Sequence, residues 1–266
     1  MEGLPHRLAN RPLALHLGHA AGLATAWQAS PAAALAMDDD RPSRAYGLID
    51  GVAVIPVQGI LMPGDFAYGS WATGYDWIRR GVAAAAAASD VRAIVLDVDS
   101  PGGTVTGCFD LADAIYAARG PKPIHAILGE NAYSAAYAIA SAADRITVPR
   151  TGGTGSIGVI WMHVDWSAAL AEAGIKVTVV AFGARKADGH PEMPLAKEAL
   201  ARIQADIDTM GDLFVRTVAR NRGLSADKVR ETEAATFLGD DGVSIGLADA
   251  VMAPDAAFRA LLAELG

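Results

Sequence analysis

The sequence predicts an α/β fold in which helices flank a largely parallel sheet, and three observations support this prediction. The 266 residues suffice for one large domain, and 52% of them are hydrophobic with 28 glycines, a globular composition. The run Ala93–Val98 is continuously apolar and β-branched, as expected of a parallel strand covered on both faces. From Tyr46 onward, strand patterns alternate with helical ones, which implies right-handed crossover connections.

The remaining elements follow from local patterns taken in chain order. Val52–Val57 is predicted as a strand that ends at Gln58-Gly59, and Tyr75–Ser89 as a helix because of its alanine run. Further strands are predicted at Pro123–Leu128, Arg145–Val148, Ile157–Met162 and Lys176–Ala181. Further helices are predicted at Thr104–Arg119, Ser134–Ala143, Val164–Ala173 and from Pro194 to about Asn221, with short helices after them.

The N-terminal segment differs in composition from the rest. Pro12–Met37 contains no Lys, Arg, Asp or Glu, but histidines, glycine, glutamine and proline interrupt it, so a signal peptide is rejected. We interpret it as an Ala-rich amphipathic helix that packs on another surface. The charged break Asp38–Arg44 separates an arm and linker, residues 1–44, from a domain over residues 45–266. No other segment approaches a membrane-spanning helix, so a soluble, cytoplasmic protein is expected.

Charge and cysteine content limit the function. The net charge of −8 argues against nucleic acid or an anionic membrane as a partner and leaves proteins, peptides or small molecules. Cys108 is the single cysteine, which excludes an internal disulfide framework and fits a reducing compartment. It lies on a predicted helix without an evident base, so we expect a buried apolar filler.

The first candidate site segment is Asp99-Ser100-Pro101-Gly102-Gly103, between a buried strand and a predicted helix. Adjacent glycines allow a sharp turn and present bare N–H groups near a helix N-terminus, which suits a developing oxyanion. An ordinary tight turn is the alternative.

The second segment centres on Ser134, which begins an alanine-rich helix. A serine at this position is commonly a helix N-cap. The functional alternative is a nucleophile at a strand–turn–helix corner, with the N–H of Ala135 as an oxyanion donor. Ala132, Ala135 and Ala136 favour this alternative, because small side chains let an extended substrate approach the backbone.

The third segment is the loop Phe182–Pro191, which contains Lys186. A loop lysine is usually only solvated, but a neutral lysine amine beside a serine acts as a general base. Its pKa, ordinarily about 10.4, must then fall by about three units through desolvation or nearby positive charge. Arg185 is one source of such charge.

Other chemistries have weaker support. Gly153–Gly158 matches the dinucleotide fingerprint, but it runs into a predicted strand where a helix is required, so nucleotide binding is rejected. A Ser–His–Asp triad using His125, His163 or His190 stays open, although no serine lies in a Gly-x-Ser-x-Gly elbow. We find no cluster with metal-ligand spacing and expect no cofactor.

The three segments and Thr154-Gly155-Ser156-Ile157-Gly158-Val159 together resemble the S49 peptidase family, which includes signal peptide peptidase A and phage head-maturation proteases. The resemblance covers roughly residues 46 to 250. It implies a ClpP/crotonase-like fold, Ser134 as nucleophile, Lys186 as general base, and oxyanion donors at Gly102, Gly103 and Ala135. It also implies protein or peptide substrates and a homo-oligomeric ring.

Within the family, the opening Asn10–Ala14 and the run from Lys186 to Ser225 resemble the phage capsid-protease branch. This implies cleavage of capsid or scaffold proteins during head maturation, with capsid, portal or scaffold proteins as partners, in the host cytoplasm or the procapsid. The alternatives are a bacterial peptidase that degrades cleaved signal peptides or small proteins, a crotonase-like acyl-CoA enzyme, and an inactive shell protein.

Overall fold

A computed structural model describes residues 13–15 and 44–266. Most of the predicted helix over Pro12–Met37 lies outside these residues. The prediction is wrong at Leu13–Leu15, which form a strand that pairs with a distant strand of the domain. A free strand edge elsewhere in the fold overrides the local preference for helix, because it offers hydrogen-bond partners that the local sequence does not reveal.

The strands, in chain order, are β1 (Leu13–Leu15), β2 (Gly47–Ile49), β3 (Val52–Met62), β4 (Ala67–Tyr68), β5 (Ala72–Gly74), β6 (Ala93–Thr104), β7 (Ile124–Tyr133), β8 (Arg145–Val148), β9 (Gly153–Gly155), β10 (Thr236–Leu238) and β11 (Ala250–Val251). The helices are α1 (Tyr75–Ala87), α2 (Cys108–Ala117), α3 (Ala135–Ser141), α4 (Ser167–Glu172), α5 (Lys197–Arg222), α6 (Ala226–Arg230), α7 (Gly239–Ser244) and α8 (Pro254–Leu265).

The centre of the sheet is parallel, and β6 lies between β3 and β7. β8 continues the parallel order beside the first half of β7, and β9 lies parallel to its second half. Antiparallel pairs occur at the margins, where β2 joins β3, β4 joins β5 and β10 joins β9. The predicted α/β class with a largely parallel sheet and flanking helices is confirmed.

Both faces of β6 are buried, as its sequence predicts. Ile94, Leu96 and Val98 belong to the main core, which includes side chains from α1, α2, α3 and α5. Ala93 and Val95 face the opposite side, in a smaller core that includes Leu261 of α8. Alternate residues of one strand thus reach two layers of helices, which explains the continuous apolar run.

Two predicted strands, Ile157–Met162 and Lys176–Ala181, are absent from the described part of the chain, apart from an isolated bridge residue at Ile160. They lie in a segment, residues 159–195, that we call the lysine arm, and in which α4 is shorter than the predicted helix Val164–Ala173. Val180 and Phe182 are 93% and 103% exposed, so the described residues do not cover this apolar sequence. Apolar β-branched runs form strands only where a sheet edge and a core receive them.

Candidate active site

Ser134 lies at the corner between β7 and α3. Its φ and ψ are 54° and −120°, a conformation that side chains other than glycine rarely adopt. The surrounding backbone holds it there: Ser134 N donates to Gly155 O at 2.9 Å, and Ala138 N donates to Ser134 O at 2.9 Å. A strained strand–turn–helix corner of this kind lifts a nucleophile out of a sheet.

The N-cap alternative for Ser134 is wrong. The Ser134 side chain makes no capping hydrogen bond to α3. Its hydroxyl instead donates to the carbonyl of Gly158 at 3.4 Å, a long and weak contact. A serine that is 1% exposed and only weakly bound through its hydroxyl is poorly explained by helix capping alone.

The sequence that resembles a dinucleotide fingerprint holds this corner in place. Gly155 and Gly158 supply the two carbonyls that accept from Ser134, and β9 leads into a loop rather than a helix. A Cβ on Gly153 would lie 2.0 Å from Tyr133 Oη, so close packing against β7 requires glycine there. The glycine spacing is visible in the sequence, but it equally suggests a phosphate loop, so the sequence does not indicate this cradle of Gly155 and Gly158 around Ser134.

Helix α3 is anchored from below by buried groups. Tyr137 Oη donates to Leu247 O at 2.8 Å, and burial raises the pKa of this phenol well above its usual range. Cys108 Sγ lies 3.6 Å from Ala135 O, and burial raises the pKa of the thiol to about 12. Cys108 is therefore the inert buried filler that the sequence predicts.

The glycine segment is not a turn before a helix. β6 continues to Thr104, and α2 begins only at Cys108, so both the tight-turn alternative and the predicted helix N-terminus at Thr104 are wrong. A Cβ on Gly103 would lie 1.7 Å from Leu61 O, so only glycine allows β3 and β6 to pair here. The segment is a strand edge that presents backbone groups beside the corner.

The candidate oxyanion donors differ in whether their backbone N–H groups already donate a hydrogen bond. Gly102 N donates to Ser100 Oγ at 3.1 Å, and Ser100 Oγ donates to Gly59 O at 2.6 Å, so the amide of Gly102 already has a partner. Ala135 N has no hydrogen-bond acceptor among residues 13–15 and 44–266. The geometry therefore favours Ala135 as an oxyanion donor over Gly102.

Among the residues that the structure describes, no hydrogen bond joins Lys186 to Ser134. Lys186 lies exposed in a turn of the lysine arm, where Lys186 N donates to Gly183 O at 3.1 Å. Among the described residues, no hydrogen bond or ion pair involves its amine. The ion pair between Asp188 and Arg202 of α5, at 2.6 Å, fixes one side of the arm and leaves the turn with Lys186 in solvent.

The three candidate histidines have environments or partners that do not include Ser134. His125 is buried on β7, which lowers the pKa of its imidazole, and His163 Nε2 lies 3.3 Å from His190 O. His190 Nδ1 pairs with Glu192 at 2.5 Å. No hydrogen bond joins any of them to Ser134 in the described residues, so the geometry gives no support to a Ser–His–Asp triad.

The described ranges contain neither a metal-binding cluster nor a membrane-spanning helix. Residues 13–15 and 44–266 contain no group of three or more His, Cys, Asp or Glu side chains placed to hold a metal ion. None of the helices in these ranges is long and apolar enough to cross a membrane.

Comparison with known proteins agrees with this geometry. The profile described as "Peptidase family S49" matches residues 117–265, more than half of the chain. The chain belongs to peptidase family S49. The "Capsid assembly protease C" of Escherichia phage lambda is 38% identical over 229 residues, which are 85% of this chain and 52% of that protein.

A second relative of this S49 chain is the "Head-tail preconnector protein GP5" of Enterobacteria phage P21. It is 44% identical over 211 residues, which are 79% of this chain and 42% of that protein. The S49 chain thus spans about half the length of these two phage relatives.

An enoyl-CoA hydratase from Shewanella pealeana has a similar fold, with a TM-score of 0.51 over 83% of this chain and 72% of its own. The two sequences are 10% identical, so the likeness concerns the fold alone. The predicted crotonase-like fold is thereby confirmed for this S49 member.

Proposed function

We propose that this chain is the peptidase part of a phage head-maturation protease, a serine endopeptidase that cleaves capsid or scaffold proteins. The observation that carries the proposal is the strained corner that presents Ser134 beside an unengaged Ala135 amide. The names of the two phage relatives support the head-assembly role. Their similarity favours it over a cellular signal-peptide-degrading role.

In the proposed mechanism, Ser134 Oγ attacks the carbonyl carbon of a peptide bond while the neutral amine of Lys186 accepts its proton. The N–H groups of Ala135 and Gly103 stabilise the oxyanion. The protonated lysine then donates to the leaving amine, and the peptide bond breaks. Water, deprotonated by the same lysine, hydrolyses the acyl-enzyme and frees Ser134.

The placement of Lys186 leads to a second part of the proposal: the lysine comes from a neighbouring copy of the chain. Lys186 is exposed and has no hydrogen bond to Ser134 among the described residues, and the lysine arm around it carries several exposed apolar side chains, including Met162, Val180 and Phe182. Such a surface favours burial against another subunit. Burial there would also supply the desolvation that a neutral lysine requires.

A complementation experiment tests both parts. We expect Ser134→Ala and Lys186→Ala each to abolish cleavage of a peptide substrate, since the two residues act as one unit. When the two variants are mixed under subunit exchange, about a quarter of the wild-type rate should return, because about a quarter of random head-to-tail contacts pair an intact serine with an intact lysine. Lys176→Ala, an exposed lysine in the same arm, is the matched control and should stay fully active.

Three outcomes would contradict the proposal. If Lys186→Ala kept more than about a tenth of the wild-type rate, lysine would not be the base. If the variants co-assembled and no activity returned, the dyad would form within one chain. If a fluorophosphonate failed to label Ser134 in the wild-type protein, the chain would not be a serine peptidase, and acyl-CoA chemistry or a shell role would have to be considered.

A further inference from the structure

Strand β6 has two edges, and each is occupied differently along its length. One edge pairs with β3 as far as the Leu61↔Gly103 pair. The other edge pairs with β7, but only as far as the Ser100↔Ala132 pair. Beyond that point β1 takes over, antiparallel to β6, with the pairs Leu15↔Gly102, Ala14↔Gly103 and Leu13↔Thr104.

This register places β1 beside the candidate nucleophile. Ser134 follows Ala132 by two residues, just as Gly102 follows Ser100 by two residues on the paired strand. At Ser134 the chain turns out of the sheet into α3. β1 therefore enters the sheet at the level where β7 leaves it, about one strand spacing, roughly 4.8 Å, from β6.

A strand edge of this kind binds extended peptides through main-chain hydrogen bonds. A substrate whose carbonyl lies between Ser134 and the amides of Gly103 and Ala135 has to run along the same stretch of β6. That stretch cannot pair with two strands on one edge. Substrate and β1 therefore exclude each other.

We propose that Leu13–Leu15 is an autoinhibitory strand, a built-in competitor for the peptide-binding edge of β6. The inference rests on the proposed function, because it takes peptides as the substrates. The segment Leu13-Ala14-Leu15 is apolar and uncharged, and the surroundings of Ser134 from Asn131 to Ala143 carry no charged residue. The internal strand thus matches the uncharged surroundings that a substrate would meet.

The strength of the contact suits a displaceable inhibitor. Three residue pairs form a short ladder, which binds weakly as a free peptide. β1 belongs to the same chain as β6, so its pairing is intramolecular, and such contacts commonly reach effective concentrations on the order of millimolar. A substrate that makes a longer ladder, or that is held at high local concentration, displaces β1.

Proline substitution in the full chain tests the strand directly. Proline lacks an N–H, and adjacent residues of a strand direct their N–H groups to opposite edges, so one of Ala14→Pro and Leu15→Pro must remove a bond to β6. For the more effective of the two, we expect the KM for a peptide substrate to fall at least fivefold with kcat within twofold of the wild type. Ala24→Pro, in the same N-terminal segment, is the control and should leave KM unchanged.

A second measurement does not depend on cleavage. In a Ser134→Ala background, amide hydrogen exchange at Gly102–Thr104 should accelerate at least tenfold with the effective proline substitution. A synthetic peptide of residues 10–18 should restore the protection. If the wild type cleaves the peptide but neither proline variant changes KM or exchange, the inference is wrong. If no protein cleaves the peptide, the proposed function is wrong, and the exchange result still decides whether β1 occupies the edge.

Discussion

Ser134 has a positive φ of 54°, and such a backbone conformation costs about 1 to 3 kcal/mol for a residue other than glycine. The cost is tolerated because hydrogen bonds to Gly155 and from Ala138 fix the backbone on both sides of the corner. Backbone strain at Ser134 lowers stability, so it supports the hypothesis that the residue serves the proposed chemistry. It leads to an unusual expectation for stability.

At this position glycine should be more stabilising than alanine. Ser134→Gly relieves the positive φ, whereas Ser134→Ala retains it, so the glycine variant should be more stable by about 1 kcal/mol after the chain-entropy cost of glycine is subtracted. Urea unfolding of the two variants measures the difference. Both variants lack the Ser134 hydroxyl, so the comparison does not depend on activity.

Ala136→Gly, two residues further along in the buried helix α3, is the matched control. There the ordinary order applies, and glycine should destabilise by about 1 kcal/mol. If the Ser134→Gly protein unfolds at a lower urea concentration than the Ser134→Ala protein, the corner is not strained in solution.

At the residue scale, the sequence indicated Ser134 because it opens a predicted helix among small side chains. It did not indicate Gly155 or Gly158, whose contribution is two carbonyl groups. Carbonyl groups are common to all residues, so no residue type marks such a contact. The contacts of Ser134 with Gly155 and Gly158 can be identified only from the folded structure, in which β9 and the loop after it pack against the corner.

At the scale of elements, β6 connects the sheet to the site. Its first half is ordinary parallel sheet, and its second half bends past Ser100 with a register shift against both β3 and β7. Gly103 allows β3 to follow this bend, since its missing side chain leaves room for the carbonyl of Leu61. This close pairing of β3 with β6 thus fixes the position of the opposite edge of β6, which lies beside β1.

Gly103→Ala should therefore destabilise the protein strongly. The added Cβ would lie 1.7 Å from Leu61 O, a backbone atom that cannot move without separating β3 from β6. We expect a loss of about 3 kcal/mol in the free energy of unfolding, at the upper end for overpacking. Chemical denaturation gives this value directly.

Gly129→Ala is the control for that experiment, because a Cβ there would meet Asp99 Cβ at 3.5 Å, an ordinary contact. Gly129 lies on β7, the neighbouring strand, so both substitutions change a strand glycine at the sheet centre. Equal unfolding free energies for the two variants would mean that the strands adjust without cost.

The sequence predicted β6 well up to Val98 and wrongly after it. An apolar run gives a clear strand pattern, whereas Ser100-Pro101-Gly102-Gly103 has the composition of a turn. Here glycine serves close strand pairing, a use that depends on Leu61, about forty residues away in sequence. The strands predicted in the lysine arm are wrong for the complementary reason, since their apolar pattern has no sheet edge to join among residues 13–15 and 44–266.

At the scale of the whole molecule, the lysine arm carries the two most exposed large apolar side chains of the described residues, Val180 and Phe182. Phe182 is fully exposed and four residues from Lys186. If the arm packs against a neighbouring copy, a charged residue at position 182 stays solvated in the isolated chain. In the assembly it would be buried without a partner, which weakens association.

Phe182→Asp should leave the unfolding midpoint of the dissociated chain unchanged, because the side chain is fully exposed among the described residues. Sedimentation velocity should show a smaller particle than the wild type, and peptide cleavage should fall at least tenfold. Ile49→Asp, an exposed apolar residue on β2, is the control and should keep both assembly and activity. Wild-type sedimentation and activity in the Phe182→Asp protein would show that the side chain remains in solvent in the working enzyme.

The contacts that hold Ser134 also determine when its corner can form during synthesis of the chain. The loop that binds Ser134 is held by the antiparallel pair of β9 with β10 and by the bond from Ser156 N to Ala235 O at 2.9 Å. β10 follows Ser134 by roughly a hundred residues, and ribosomes add about 5 to 20 residues per second. A nascent chain thus exposes its serine for several seconds, at the least, before the strand that completes the corner has been synthesised. The corner at Ser134 therefore forms only after translation has passed β10, and the rate of translation sets this delay.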